Sequence, residues 1–186
     1  IRRAANRIFI PITVGGGIRS LDDVRTMLRS GADKVAINTA AIARPQLITE
    51  VSGRFGSQCM VLSVEAKRIG PGRWEAYTDS GRERTGKDVL DWIEQGVQLG
   101  AGEVLITAVD QEGTRKGLDI ELLRAVNQRV NVPVIASGGF GDPADLKRAS
   151  DVGTSGVAIA DALHWQRMTV QQIKQHGRDQ GLEIRL

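Results

Sequence analysis

The chain has 186 residues, 41% of them hydrophobic and 25% charged, with a formal net charge of +3. That length supports one domain with a real core, and no apolar run approaches the ~20 residues that cross a bilayer. There is no charged start leading into an apolar segment and a cleavage site, and the single Cys59 suits a reducing cytoplasm; an aromatic content of 4% leaves few stacking platforms for nucleic acid. A cytoplasmic protein with neither nucleic acid nor membrane as partner is expected, and its small positive excess suits a phosphorylated metabolite.

Residues 1–7 read as the end of a helix. The apolar run 9–14 predicts a strand that leads into Gly15, Gly16 and Gly17. Leu21, Val24, Met27 and Leu28 then recur at helical period, with Ser20 and Asp23 where an N-cap belongs and Gly31 where a helix stops. Strands follow at 34–37 and 60–64. After the latter, GPGRWEAY within 67–78 reads as an inserted hairpin. Val89, Trp92, Ile93 and Val97 predict a helix ending near Gly100, then come a strand at 104–107 and a helix on Leu122, Leu123 and Val126. A strand at 132–136 precedes Asp142 and Pro143, placed as a cap and first-turn proline, and Gly153, placed as a stop. A strand at 156–159 and a helix around Ile173 close the series.

Residues 11–40, PITVGGGIRSLDDVRTMLRSGADKVAINTA, recur without a gap at 133–162 as PVIASGGFGDPADLKRASDVGTSGVAIADA. Pro11, Gly16, Gly17, Asp23, Gly31, Val35, Ala36, Ile37 and Ala40 meet Pro133, Gly138, Gly139, Asp145, Gly153, Val157, Ala158, Ile159 and Ala162. One structural unit is used twice. Alternating strands and helices imply a parallel α/β sheet, either open or closed. A repeat spaced by four strand–helix units is half of a (βα)8 barrel of the TIM type. On that count strands 3 to 8 are present, and the first two strands and first helix are expected to be absent. Residues 1–54 would be a remnant of the first half-barrel and 55–186 the second, in a single partial domain.

In such folds ligands sit beyond the carboxyl ends of the strands. Gly16 and Gly17, and their counterparts Gly138 and Gly139, lie at such ends, where backbone N–H groups can approach an anion closely. Asn38 and Thr39 form a second lip in the first copy, Ala160 and Asp161 in the second. Each copy is a candidate phosphate cradle, so a ligand phosphorylated at both ends is expected. Asp161 stands where Thr39 offers a hydroxyl, and its carboxylate is expected either to point away or, as the favoured reading, to cap the next turn at Ala162 and Leu163.

The motifs TVGGGIRS, ADKVAINTAA, FGSQC, VEAKR, GAGEVLIT, DQEGT and VIASGG, in that order, resemble the family of imidazole glycerol phosphate synthase cyclase subunits. The resemblance implies a barrel that takes a bisphosphorylated substrate, adds ammonia delivered by a glutaminase subunit, closes an imidazole ring and releases an aminoimidazole carboxamide ribotide. The family uses two acids for proton transfer, on its first and fifth strands. Glu65 matches the second, where Asp is usual; the first is expected to lie ahead of Ile1. Ion pairing of Glu65 with Lys67 or Arg68 is the alternative role.

By the same resemblance Thr107, Asp110, Glu112 and Ser137 contact substrate, and Lys34 and Glu103 belong to a ring of charges at the floor through which ammonia enters. Glu65, Glu112 and Asp161 leave two alternatives open: a related synthase for amidated surface-polysaccharide sugars, or a non-catalytic partial barrel that self-associates through exposed strand edges. No cofactor is implied. His164 and His176 lack metal-ligand spacing, so no metal site is expected.

Overall fold

The computed structural model describes residues 1–184. One sheet carries eight strands. Six are parallel, in the order β1 (Thr13–Gly15), β2 (Lys34–Ile37), β3 (Met60–Gly70), β6 (Glu103–Ala108), β7 (Val134–Ser137) and β8 (Gly156–Ala158). The other two, β4 (Arg73–Thr78) and β5 (Glu83–Asp88), extend β3 as an antiparallel meander. The expectation that the first two strands and first helix are absent is corrected: the sheet's first two strands are present and paired from Thr13↔Lys34 to Gly15↔Ala36, and a short helix, α1 (Arg2–Ala5), precedes them. Among the described residues β1 pairs only with β2 and β8 only with β7, so the sheet is open.

Side chains alternate across the parallel strands. Val35, Ile37, Leu62, Val64, Val104, Ile106, Val134 and Ala136 are buried on the face that the helices cover. The opposite face, with Ser63, Glu65, Leu105, Thr107, Ile135 and Ser137, is half-buried. Covering helices include α2 (Leu21–Arg29), α4 (Gln46–Phe55), α5 (Val89–Gln98), α6 (Ile120–Asn127), α7 (Ala144–Asp151) and α9 (Val170–Asp179), with the single turns α3 (Thr39–Ala43) and α8 (Asp161–His164) after β2 and β8. No helix among the described residues is long and apolar enough to cross a membrane.

Three expectations move. The strand predicted at 9–14 begins only at Thr13, and Phe9 is 96% exposed. Pro11 has no N–H to give a ladder, and the Ile12 N–H is taken by the Asp33 carboxylate at 2.7 Å. The hairpin expected within 67–78 is longer, because β3 runs on to Gly70 and β5 adds a third strand. Buried Trp74 anchors the meander by donating from Nε1 to Asp119 at 3.1 Å, while Arg68 stacks on its ring and pairs with Asp119. Finally, Pro143 rather than Asp142 precedes the first turn of α7; the Asp142 carboxylate accepts from Ala144 N–H at 2.7 Å.

The repeat is visible as one device built twice. Asp23 accepts from the N–H of Arg19 at 2.9 Å, and Asp145 accepts from the N–H of Gly141 at 3.1 Å. Each carboxylate pins the loop between its glycines and the following helix. Ser20 completes the first version as N-cap of α2, its Oγ accepting from Asp23 N–H. These donors hold the Asp23 carboxyl below its ordinary value, the Arg19 N–H first and the Ser20 hydroxyl second.

Candidate functional site

Strand register assembles the site. Glu65 on β3 lies between Tyr77 of β4 and Thr107 of β6; Thr107 is level with Ser137 of β7, and Ser137 with Ala158 of β8. Glu65, Thr107 and Ser137 therefore form a row on the half-buried face, at the carboxyl ends of their strands. The glycine loops and the lips after β2 and β8 lie at the same end.

Glu65 pairs with neither Lys67 nor Arg68. Arg68 is held by Asp119 and Glu121, and the Lys67 ammonium lies over the Tyr77 ring at 5.4 Å. The Glu65 carboxylate instead accepts through Oε2 from the Gly81 N–H, 2.8 Å away in the β4–β5 turn.

In the first cradle Gly16 and Gly17 have φ of 93° and 72°, a conformation that only glycine adopts freely. A Cβ placed on either would meet nothing within 4 Å, so their backbones are open. Thr39 is exposed, and its Oγ1 accepts from Asp79 N–H at 3.4 Å. Asn38 donates from Nδ2 to the Tyr77 carbonyl at 3.0 Å, leaving its buried Oδ1 unpartnered.

The second cradle repeats the backbone, with Gly138 and Gly139 at 91° and 94°, but is covered. A Cβ on Gly138 would come within 2.7 Å of the Ala108 carbonyl, and one on Gly139 within 2.2 Å of the Gly117 carbonyl. Gly117 also donates to the Gly139 carbonyl at 2.9 Å, so the loop after β6 is laced onto this cradle. What remains is a cavity of about 30 Å³ lined by Glu112, Arg115, Ser137, Gly138, Ala160 and Asp161 among others.

Asp161 corrects its expectation. It makes no cap on α8, and its carboxylate pairs with Arg167 at 3.1 Å. A guanidinium six residues on competes successfully with the backbone N–H groups of a one-turn helix. Glu112 lies over Gly138, whereas Asp110 is spent elsewhere, accepting from Arg68 N–H at 2.7 Å.

At the opposite end of the sheet Lys34 and Glu103, the first residues of β2 and β6, form an ion pair across β3. Glu103 is buried at 8% exposure. Among the described residues no group of three potential metal-ligating side chains occurs.

Two contributors escaped the sequence reading. The sequence Asp79–Ser80–Gly81 signals a turn, but nothing in it says that the turn folds back onto Glu65 and Thr39. Arg115 joins the second cradle because its loop is laced to Gly139, a long-range contact without a local pattern.

A family model described as histidine biosynthesis protein matches residues 1–169. The imidazole glycerol phosphate synthase subunit HisF of Legionella pneumophila is 62% identical over 141 residues, covering 76% of this chain and 66% of that protein. The subunit of the same name from Gluconacetobacter diazotrophicus is 46% identical over 100% of this chain and 72% of its own length. That from Streptococcus sanguinis is 44% identical over 100% of this chain and 74% of its own length. Alignment along all of this chain, β1 and β2 included, is the second finding against a sheet lacking its first two strands.

Proposed function

This chain belongs to the histidine biosynthesis protein family, and on that premise we propose that it acts as the cyclase subunit of imidazole glycerol phosphate synthase. It takes a substrate bearing a phosphate at each end, adds ammonia, and closes an imidazole ring with release of an aminoimidazole carboxamide ribotide. The observation that carries the reading is the row at the strand ends, a single carboxylate, Glu65, level with the Thr107 and Ser137 hydroxyls, between two copies of one glycine cradle.

Gly16, Gly17, Asn38 and Thr39 hold one phosphate. Gly138, Gly139 and Ala160 hold the other, with the Asp161 charge neutralised by Arg167 and the loop carrying Asp110, Glu112 and Arg115 covering that end. Glu65 accepts a proton from the ammonia adduct and returns one to the departing nitrogen, which general acid–base catalysis requires at hydrogen-bond reach. Thr107, Ser137 and Glu112 orient the substrate between them. Ammonia comes from a glutaminase subunit docked at the opposite end, and the Lys34–Glu103 pair lies on its way in.

All three relatives quoted carry the name of the histidine-pathway enzyme, which leaves the polysaccharide alternative without support. Pairing of two copies through strand edges has no support in the comparisons. The test is ammonia-dependent formation of imidazole glycerol phosphate. Glu65→Gln is expected to lower kcat at least ~100-fold, since general acid–base groups contribute about 10²–10⁴. Undiminished turnover in Glu65→Gln would remove Glu65 from the mechanism.

A further inference from the structure

The turn joining β4 to β5 holds three consecutive residues in the left-handed region, Asp79 at φ 53°, Ser80 at 59° and Gly81 at 75°. Non-glycine residues stay there only where surrounding contacts fix them. Here Arg82 supplies those contacts, donating from Nε to the Asp79 carbonyl at 2.9 Å and pairing with the Asp79 carboxylate at 3.0 Å. The base of the turn is equally secured. Buried Glu75 accepts from Arg84 and from Gly86 N–H, which together hold its carboxyl below the ordinary glutamate value despite burial.

So mounted, the end of β4 and the turn after it reach three groups that the proposed reaction uses. The Tyr77 carbonyl receives Asn38 Nδ2 at 3.0 Å, the Asp79 N–H reaches Thr39 Oγ1 at 3.4 Å, and the Gly81 N–H reaches Glu65 Oε2 at 2.8 Å. A glutamate side chain has three rotatable bonds, so an unheld carboxylate would sweep a wide arc.

We propose that the turn 79–81 is a positioning element of the reaction, tying the carboxylate of Glu65 and the phosphate lip at Thr39 to one rigid segment. The inference rests on the reading of Glu65 as the proton-transfer group. With Oε2 held by Gly81, Oε1 is left for the reacting nitrogen. With the Thr39 oxygen accepting from Asp79, its O–H is left to donate to a phosphate oxygen. Phosphate seated at the lip and the aim of the acid are thus set together.

Two variants and two readouts test this. In Gly81→Ala a Cβ would lie 2.9 Å from Val109 Cγ1 at a positive φ, so the turn must shift. In Arg82→Ala the side chain removed is 70% exposed, so the change is confined to the turn it braces and leaves the core untouched. In the ammonia-dependent assay kcat is expected to fall about 100-fold in Gly81→Ala, the scale of a displacement near 1 Å, and about fivefold in Arg82→Ala, with KM within about twofold in both. Arg82→Lys, which can still reach the Asp79 carboxylate, should recover part of the loss.

Independently of turnover, inorganic phosphate should shift the amide resonances of Asp79 and Gly81 and the side-chain carboxyl resonance of Glu65 together. Arg82→Ala should uncouple the Glu65 response. Should Gly81→Ala fail to fold, Arg82→Ala carries both readouts. Unchanged kcat in Arg82→Ala, or a Glu65 resonance indifferent to phosphate in the unaltered protein, would overturn the inference. Full activity in Glu65→Gln would instead defeat the catalytic reading, while the phosphate-linked resonances still report on the turn.

Discussion

Residues 11–40 and 133–162 share one backbone plan and differ in what surrounds it. Both have paired left-handed glycines, a carboxylate that pins the loop, and a glycine at the helix end, Gly31 at φ 100° and Gly153 at φ 91°. Yet the first cradle is open around its glycines, and the second lies beneath the loop after β6, with backbone oxygens where any Cβ would go. The lips diverge too: the Thr39 hydroxyl engages the β4–β5 turn, while Asp161 engages Arg167. A duplicated unit keeps its local geometry because that geometry is written in its own residues. Its exposure is decided by its neighbours.

The comparison can be broken most sharply at the glycines. Gly139→Ala should cost about 3 kcal/mol or more, because strain at positive φ adds to a 2.2 Å approach to the Gly117 carbonyl. Gly17→Ala, with free space around it, should cost only the conformational ~1–2 kcal/mol. Urea unfolding of the two variants checks the order, and equal losses would mean that the second cradle is not covered. The pinning carboxylates come next. Asp145 is 1% exposed, so Asp145→Asn should destabilise by about 1.5–3 kcal/mol, the worth of hydrogen bonds to a charged group. Asp23→Asn should lower the urea midpoint less, since Asp23 is only half-buried.

Ligand binding separates the lips on a finer scale. Thr39→Val should weaken inorganic phosphate at the first cradle up to about tenfold, the value of one good hydrogen bond. Asp161→Thr should strengthen the second by about threefold, since an exposed ion-pair partner is worth little. Isothermal titration against each variant measures both. The smallest expected effect is on pH. Because the Asp23 carboxyl is held below 3.8 in the folded protein, its stabilisation is complete above that pH and fades as pH falls through the lower folded value. Asp23→Asn should flatten this acid limb of stability, and an unchanged limb would assign it to other carboxyls.

Much of this was legible in the chain. The strands at 34–37 and 104–107 and the helices on Val24 and Ile93 follow from period and punctuation, because burial on one face imposes both. The glycine pairs and the Asp23–Asp145 equivalence came from the repeat itself. What period cannot show is where an element ends when a side chain satisfies the backbone, as Asp33 does for Ile12. Nor can it show a loop lying across a distant one. The partners of Glu65 and Asp161, Gly81 and Arg167, were missed for that reason: each is set by tertiary placement rather than by local preference. The third strand of the meander, Glu83–Asp88, has no apolar residue and so offers period nothing to detect, whereas helix α4 does carry the helical spacing, on Leu47, Ile48 and Val51.

The most direct measurement is a titration with inorganic phosphate that follows the amide resonances of Gly16 and Gly17 beside those of Gly138 and Gly139. The open first cradle should respond at phosphate concentrations about tenfold lower than the covered second one, a gap of roughly 1.4 kcal/mol. A response of the second pair first, or of both together, would contradict the assignment of different exposure to two copies of one structural unit.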